Sequence, residues 1–209
     1  MFGSIVMSPS CSGKGVGGSR LQVTVRLSPN SKSGLKVSDI RIETERLILR
    51  NIDPGRDFEA WAALMADERA VRFLGTPVQN RALAWRNMAM VIGHWRIRGY
   101  GFFSVESKAT GEWLGRVGPW FPEGWPEPEV GWTISPEHWG RGYATEAGRA
   151  SIEYAFRVLG WPRVIHVILP GNEPSIAVAK KLGSTHIRSE RGLPGVTDGD
   201  VAIYGQSAG

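Results

Sequence analysis

Glu129-Val-Gly-Trp-Thr-Ile-Ser-Pro-Glu-His-Trp-Gly-Arg-Gly-Tyr-Ala-Thr-Glu146 is the stretch on which the reading of this chain turns. A β-strand ends at Ser135-Pro136, and a helix begins within a few residues, at Gly140-Arg-Gly-Tyr-Ala144. Glycines at such a junction let the backbone turn so that several N–H groups point at one place. The free N–H groups and dipole of the helix start then favour an anion there. Gly142 and Ala144 have almost no side chain, so a bulky diphosphate could approach the backbone, and Arg141 could add a charge-assisted contact. The alternative is a tight strand–helix turn that needed glycine and binds nothing.

Outward from this stretch, strands and helices follow one another. Arg46-Leu-Ile-Leu-Arg50 reads as a short apolar strand, and Asp53-Pro54 opens a helix over roughly 56–67. A second helix over roughly 80–97 has Leu83, Met90, Val91 and Trp95 placed to share an inner face. Tyr100–Ser107, Trp113–Phe121 and Glu129–Ser135 read as three successive strands. They are joined by a Thr110-Gly111 turn and a Pro-rich loop, Pro122-Glu-Gly-Trp-Pro-Glu-Pro128. The helix from Gly142 runs to Leu159, where Gly160 and Pro162 end it. Val164–Leu169 is a strand, Asn172 starts a helix that stops at Gly183, and strands follow near 185–190 and 200–204. Three consecutive strands and then alternating helix and strand indicate an α/β domain with a mixed sheet.

The chain has 209 residues and 42% hydrophobic residues, which suits one globular domain with a tail. Residues 1–40 hold nine Ser and six Gly and read as a flexible basic tail, leaving 41–209 as the folded domain. Leu21-Gln-Val-Thr-Val-Arg-Leu27 alternates apolar and polar and offers an edge strand as the alternative. Most of the net charge of +5 lies in this segment, as Lys14, Arg20, Arg26, Lys32 and Lys36 against Asp39 alone. The basicity therefore belongs to the tail, and with Phe2 its only aromatic residue it argues against a nucleic-acid partner. Gly13-Lys14-Gly15 is no phosphate loop, because Ser8 and Gly15 stand where a Walker motif needs Gly and Ser or Thr.

One cysteine, Cys11, excludes an internal disulfide framework, and the four His have no metal-site spacing, so no metal is expected. No apolar run reaches the ~18–20 residues of a membrane span. The start of the chain lacks the basic and apolar regions of a secretory signal. A cytoplasmic protein is the expectation.

Trp139–Ala147 closely resembles the acyl-CoA signature of the GNAT N-acetyltransferase superfamily, written Gln/Arg-x-x-Gly-x-Gly/Ala, with Gly142 and Ala144 in its last two fixed positions. Trp139 stands where Gln or Arg is usual, as in the ribosomal-protein (RimJ/RimL-like) branch, where Trp-Gly-x-Gly-Tyr-Ala-Thr-Glu-Ala is a familiar string. Glu43-Thr-Glu-Arg-Leu-Ile-Leu-Arg50 looks like the first strand of that branch, and Asn172–Gly183 like its second cofactor motif. Two positions depart from the family: Ala179 replaces a frequent Tyr, and Ser184 replaces the usual Phe.

The resemblance implies a mostly antiparallel central sheet flanked by helices, with two strands diverging around acetyl-CoA. It places the cofactor against Trp132, Thr133, Ile134, Trp139, Gly140, Arg141, Gly142, Tyr143, Ala144, Thr145, Asn172, Ser175 and Lys181. A strand N–H near Trp132 or Thr133 would polarise the thioester carbonyl. Asn172 reads equally as a plain helix cap. With the Tyr missing, Ser175 becomes the candidate for protonating the departing thiolate, or else a residue that bonds the helix start.

The implied reaction is acetyl transfer to a primary amine of a small molecule or protein N-terminus, by a monomer or homodimer. A non-catalytic acyl-CoA-binding module of the same fold is the alternative. An alkylammonium needs a base before it can attack. Glu129 is the first candidate, with Glu127 its competitor and His138 and His94 behind them; Glu129 could instead be a solvated strand-edge residue. Trp120, Glu123, Trp125 and Glu127 combine aromatic faces with carboxylates, which points to a cationic acceptor or to ordinary cover for the sheet edge.

Overall fold

The computed structural model describes residues 5–6, 22–27, 38–193 and 195–209. Cys11 and the Gly13-Lys14-Gly15 cluster lie outside the described residues. In chain order the strands are β1 (Ile5–Val6), β2 (Gln22–Leu27), β3 (Ser38–Glu43), β4 (Leu47–Arg50), β5 (Phe103–Ser107), β6 (Trp113–Trp120), β7 (Glu129–Ile134), β8 (Arg163–Ile168), β9 (Thr185–Leu193) and β10 (Thr197–Ser207). The helices are α1 (Pro54–Ala66), α2 (Glu68–Val71), α3 (Arg81–Arg98), α4 (Tyr143–Arg157) and α5 (Glu173–Lys181). Among the described residues no helix is long and apolar enough to cross a membrane.

The strands form one sheet in the order β1-β2-β3-β4-β5-β6-β7-β8-β10-β9. Every neighbouring pair is antiparallel except β7–β8. A parallel pair needs a long crossover, and α4 supplies it. α4 covers one face over a core that includes Leu47, Leu49, Phe103, Leu114 and Tyr154. α1, α2 and α3 cover the other, around Trp61, Met65, Met88, Val91 and Phe102. β3 begins three residues before the expected boundary at 41, at Ser38, and Ile40 is buried in the core. Within the expected tail, Gln22–Leu27 is a strand that pairs with β3, the alternation of the alternative reading.

α1 starts where Asp53 caps it, and α3 where Asn80 does. On α3 the inner face is Ala84, Met88, Val91, His94 and Trp95. Leu83 and Met90, expected inside, are 41% and 54% exposed. β6 runs so close beneath the segment before β5 that a Cβ at Gly118 would lie 2.8 Å from the Gly101 carbonyl oxygen. That approach lays the Phe102 ring flat on Trp120, at 5.0 Å between centroids.

Charge ties α1 to the sheet. Arg50 donates to both carboxylate oxygens of Asp57, at 2.9 and 2.7 Å, while Ser104 and the Asp53 backbone N–H also donate to Asp57. Burial pushes the Asp57 carboxyl up, but these donors outweigh it and hold it below its ordinary value. Asp57→Ala leaves Arg50 with only Glu106 as a counterion and should cost about 3–5 kcal/mol. Urea unfolding at pH 7 measures this. The gap should narrow as pH falls through the depressed Asp57 value, where the wild type loses the same contribution.

Candidate active site

α4 differs from the other long helices at its start. Side chains cap α1, α3 and α5, but Gly142, the residue before α4, offers none. Gly142 has φ +80°, the left-handed region that glycine adopts without strain, and Gly140 has φ +74°. The first N–H groups of a fifteen-residue helix are thus left without a side-chain acceptor, with its dipole behind them. Tyr143, Ala144 and Thr145 form this first turn and line a cavity of about 1810 Å³. The strand–helix turn is held from the far side. Glu146 accepts from the Thr44 hydroxyl at 2.6 Å and the Arg46 backbone N–H at 2.9 Å, and pairs with the Arg46 guanidinium. Arg46 also donates to the Arg141 carbonyl and lies over the Tyr143 ring. The Trp139 indole donates to the Ile134 carbonyl at 2.7 Å, which fixes the entry to the turn.

β7 and β8 meet at one register pair, Glu129–Ile165, and then part. β7 keeps six pairs with β6, and β8 keeps six with β10. His166 stands in the gap. Its Nδ1–H donates to the Val130 carbonyl at 2.7 Å, and Nε2 lies 2.9 Å from the Ser184 hydroxyl. Burial lowers the imidazole pKa to about 4, so the ring is neutral and accepts from Ser184. The Gln206 amide donates to the same hydroxyl. Ser184, where the resemblance implies Phe, is therefore half of a polar strut. The Pro128 and Val130 carbonyls point at β8, while the Ser135 N–H bonds β6. Strand alternation thus turns the Trp132 N–H into the gap and the Thr133 N–H toward β6.

Glu129 lies where the strands part. Its Oε1 accepts from the Val167 backbone N–H at 3.1 Å and its Oε2 from the Trp125 indole at 2.7 Å. No cation pairs with it among the described residues, and burial pushes its pKa up to about 7. It is not a solvated edge residue. Glu127, its competitor, does not line the cavity and is spent on Arg163 and Arg188, at 3.1 and 2.7 Å. His94 is buried, its Nδ1–H donating to the Tyr100 carbonyl and its Nε2 accepting from the Phe121 N–H while the ring stacks on Trp120. His138 has Nε2 at 3.3 Å from Glu112.

On α5 the cavity-facing positions include Ser175, Val178 and Lys181. Ala179 is fully buried against Ile168 and Tyr204 and brings no hydroxyl to the cavity. The Ser175 oxygen accepts from the Trp132 indole at 3.3 Å, which leaves its O–H free to donate. Asn172 caps α5 through the Ser175 N–H and also lines the cavity.

The cavity beside the expected acceptor residues is less acidic than the sequence suggests. Trp120, Glu123 and Trp125 line it, but Glu123 is fully exposed with Arg98 at 3.6 Å, and Trp125 spends its N–H on Glu129. Arg69, Arg72, Arg98, Arg116 and Lys181 line the same cavity against two carboxylates, Glu123 and Glu129. Arg116 escaped the sequence reading because nothing in Trp113–Trp120 marks which strand face its side chain takes. Among the described residues no group of three His, Cys, Asp or Glu could hold a metal ion.

Residues 46–185 match the Acetyltransferase (GNAT) domain. The uncharacterized protein YkkB of Bacillus subtilis (strain 168) is 31% identical over 72% of this chain and 88% of its own. The solved acetyltransferase from Agrobacterium tumefaciens str. C58 superposes with a TM-score of 0.69 at 31% identity, over 80% of this chain and 94% of that one. The ribosomal L7/L12 α-N-protein acetyltransferase RimL, solved in complex with coenzyme A, shares the fold at a TM-score of 0.65 and 20% identity, over 78% and 95% of the two chains.

Gly142→Val puts a β-branched side chain at positive φ and fills the space before the helix start. Coenzyme A affinity measured by calorimetry should fall at least tenfold, about 1.4 kcal/mol. Gly142→Ala, with less bulk, separates backbone strain from blockage. Unchanged affinity in a folded Gly142→Val protein would remove the turn from the binding site.

Proposed function

This chain belongs to the GNAT acetyltransferase family, and on that premise we propose that it transfers the acetyl group of acetyl-CoA to a primary amine of a small molecule or protein N-terminus. The observation that carries the reading is Glu129, a buried carboxylate with no cation beside it. It lines the same cavity as the uncapped start of α4. The residues fit the co-substrate: the turn at 140–145 offers backbone donors to a diphosphate, and the gap between β7 and β8 offers the Trp132 N–H. Acetyl-CoA supplies the acetyl group as a thioester.

In this reading each of the chain's own residues has one task. Glu129 Oε1 or Oε2 takes a proton from the ammonium so that the amine attacks as a free base. A carboxylate with a pKa near 7 holds that proton far better than an exposed Glu with its ordinary value near 4.5. The Trp132 N–H stabilises the carbonyl oxygen as negative charge grows on it. The Ser175 O–H donates to the departing sulfur, its oxygen already engaged by the Trp132 indole. One cysteine in 209 residues suits a reducing compartment, so the proposal is of a cytoplasmic enzyme.

Thiol release from acetyl-CoA across an amine panel separates this enzyme from a module that only binds. The pH dependence tests Glu129 itself. Wild-type kcat/KM should rise with an inflection near pH 7, and Glu129→Gln should lose that inflection and about 10²–10⁴ in rate. Stability should move the opposite way. A folded pKa above the unfolded one stabilises fully below pH 4.5, and that contribution is lost as pH rises through 7, at up to about 1.4 kcal/mol per unit. Glu129→Gln should therefore gain on the wild type in Tm between pH 5 and pH 8. A variant within twofold of wild-type rate across pH 6–9 would leave Glu129 a structural residue.

A further inference from the structure

Arg116 is a buried cation that the mechanism above does not use. It lies on β6, is 8% exposed, and lines the large cavity. Among the described residues no carboxylate pairs with it, and its Nε has no hydrogen-bond partner. Burial alone lowers its pKa, to about 10, so it keeps its charge at neutral pH. Arg50, the other well-buried arginine of this face, is satisfied by Asp57 and Glu106.

Two rings hold the guanidinium. Its Cζ lies 4.9 Å from the Trp61 ring centroid and 4.9 Å from that of Phe102. Ring contacts ease the burial of the charge but accept none of its in-plane N–H groups. What those groups lack is an in-plane acceptor, and a carboxylate matches the planar fork best.

The sheet register aligns this cation with the base. Arg116 pairs with Thr133, Gly118 with Gly131 and Trp120 with Glu129, so Arg116 and Glu129 lie on one face, four residues apart. That is an offset of about 13 Å along the strands at ~3.3 Å per residue. The pair between them is glycine on both strands, so the floor between the two charges carries no side chain of its own. Phe102 closes over it: a Cβ at Gly131 would meet the Phe102 ring at 3.1 Å and Glu129 Oε1 at 3.5 Å. Met65, Phe73, Leu74 and Met90 add apolar lining to the same cavity. A proton acceptor stands at one end, a cation without a counterion at the other, and apolar surface between.

We propose that the acceptor is an amine that also bears a carboxylate, with Arg116 holding the carboxylate and Glu129 receiving the amine, joined by a largely apolar spacer. The inference rests on the acetyl-transfer reading and adds the acceptor's second charge. It reverses the cationic preference that Glu123 and Glu127, with Trp120 and Trp125, suggested in the sequence.

The test is acetyl-CoA-dependent thiol release with matched acceptors. ω-Amino acids of increasing chain length are compared with the corresponding amides and with plain alkylamines. The wild type should favour the carboxylate member at least tenfold in kcat/KM, chiefly through KM, with an optimum at one spacer length. Arg116→Met should reduce that preference to within twofold, and Arg116→Lys should retain part of it. Coenzyme A affinity within twofold of wild type shows that a variant is folded. Wild-type enzyme that turns over amides as well as amino acids overturns the inference and leaves the acetyltransferase standing, and needs no variant to fold. So does a folded Arg116→Met that keeps the full preference. Coenzyme A binding without thiol release from any amine overturns the acetyl-transfer reading, and the inference with it.

Discussion

The parting of β7 and β8 past Glu129 is the constraint on which the rest of the site depends. A sheet with a parallel pair in its middle ordinarily continues its ladder, because unpaired backbone groups inside a protein are costly. Here the ladder stops after one register pair. The edges left open are partly satisfied by side chains: His166 bonds the Val130 carbonyl, and Glu129 accepts from the Val167 N–H. The same two contacts brace the gap. His166 is neutral at physiological pH, so the strut carries no charge beside a site where charge will move.

The cost of this arrangement falls on Glu129. A carboxylate held by an amide N–H and an indole N–H is only partly compensated for the water it has lost. The resulting pKa near 7 makes it a better proton acceptor and a destabilising residue at once. Arg116 repeats the pattern with the opposite sign at the far end of the same glycine floor. Elsewhere the domain neutralises its buried charges, as Arg50, Asp57 and Glu106 do between β4, α1 and β5. Uncompensated charge is concentrated in the cavity.

Much of this was legible in the sequence, and for local reasons. Glycines at a strand–helix junction, a helix cap at Asn172 and turn residues at Thr110-Gly111 act through their nearest neighbours, so the elements around them fell within a few residues of their places. What stayed hidden depends on contacts distant in the chain. Ser38–Ile40 became strand because β2 and β4 flank it. Leu83 and Met90 fitted a helical apolar face, but α3 buries its Ala84–Met88–Val91 face instead and leaves Met90 to line the cavity. Thr44, Arg46 and Glu146 meet across about a hundred residues. Glu127 looked free beside Glu129 until β8 and β9 brought Arg163 and Arg188 to it. Spacing alone cannot tell a paired carboxylate from an unpaired one.

A crystal structure with coenzyme A bound tests the account most directly. The account requires the diphosphate on the backbone N–H groups at the start of α4, the pantetheine arm between β7 and β8, and the sulfur within reach of the Ser175 hydroxyl on the side open to Glu129. Density for coenzyme A outside that gap, or a sulfur separated from Glu129 by the sheet, would contradict it.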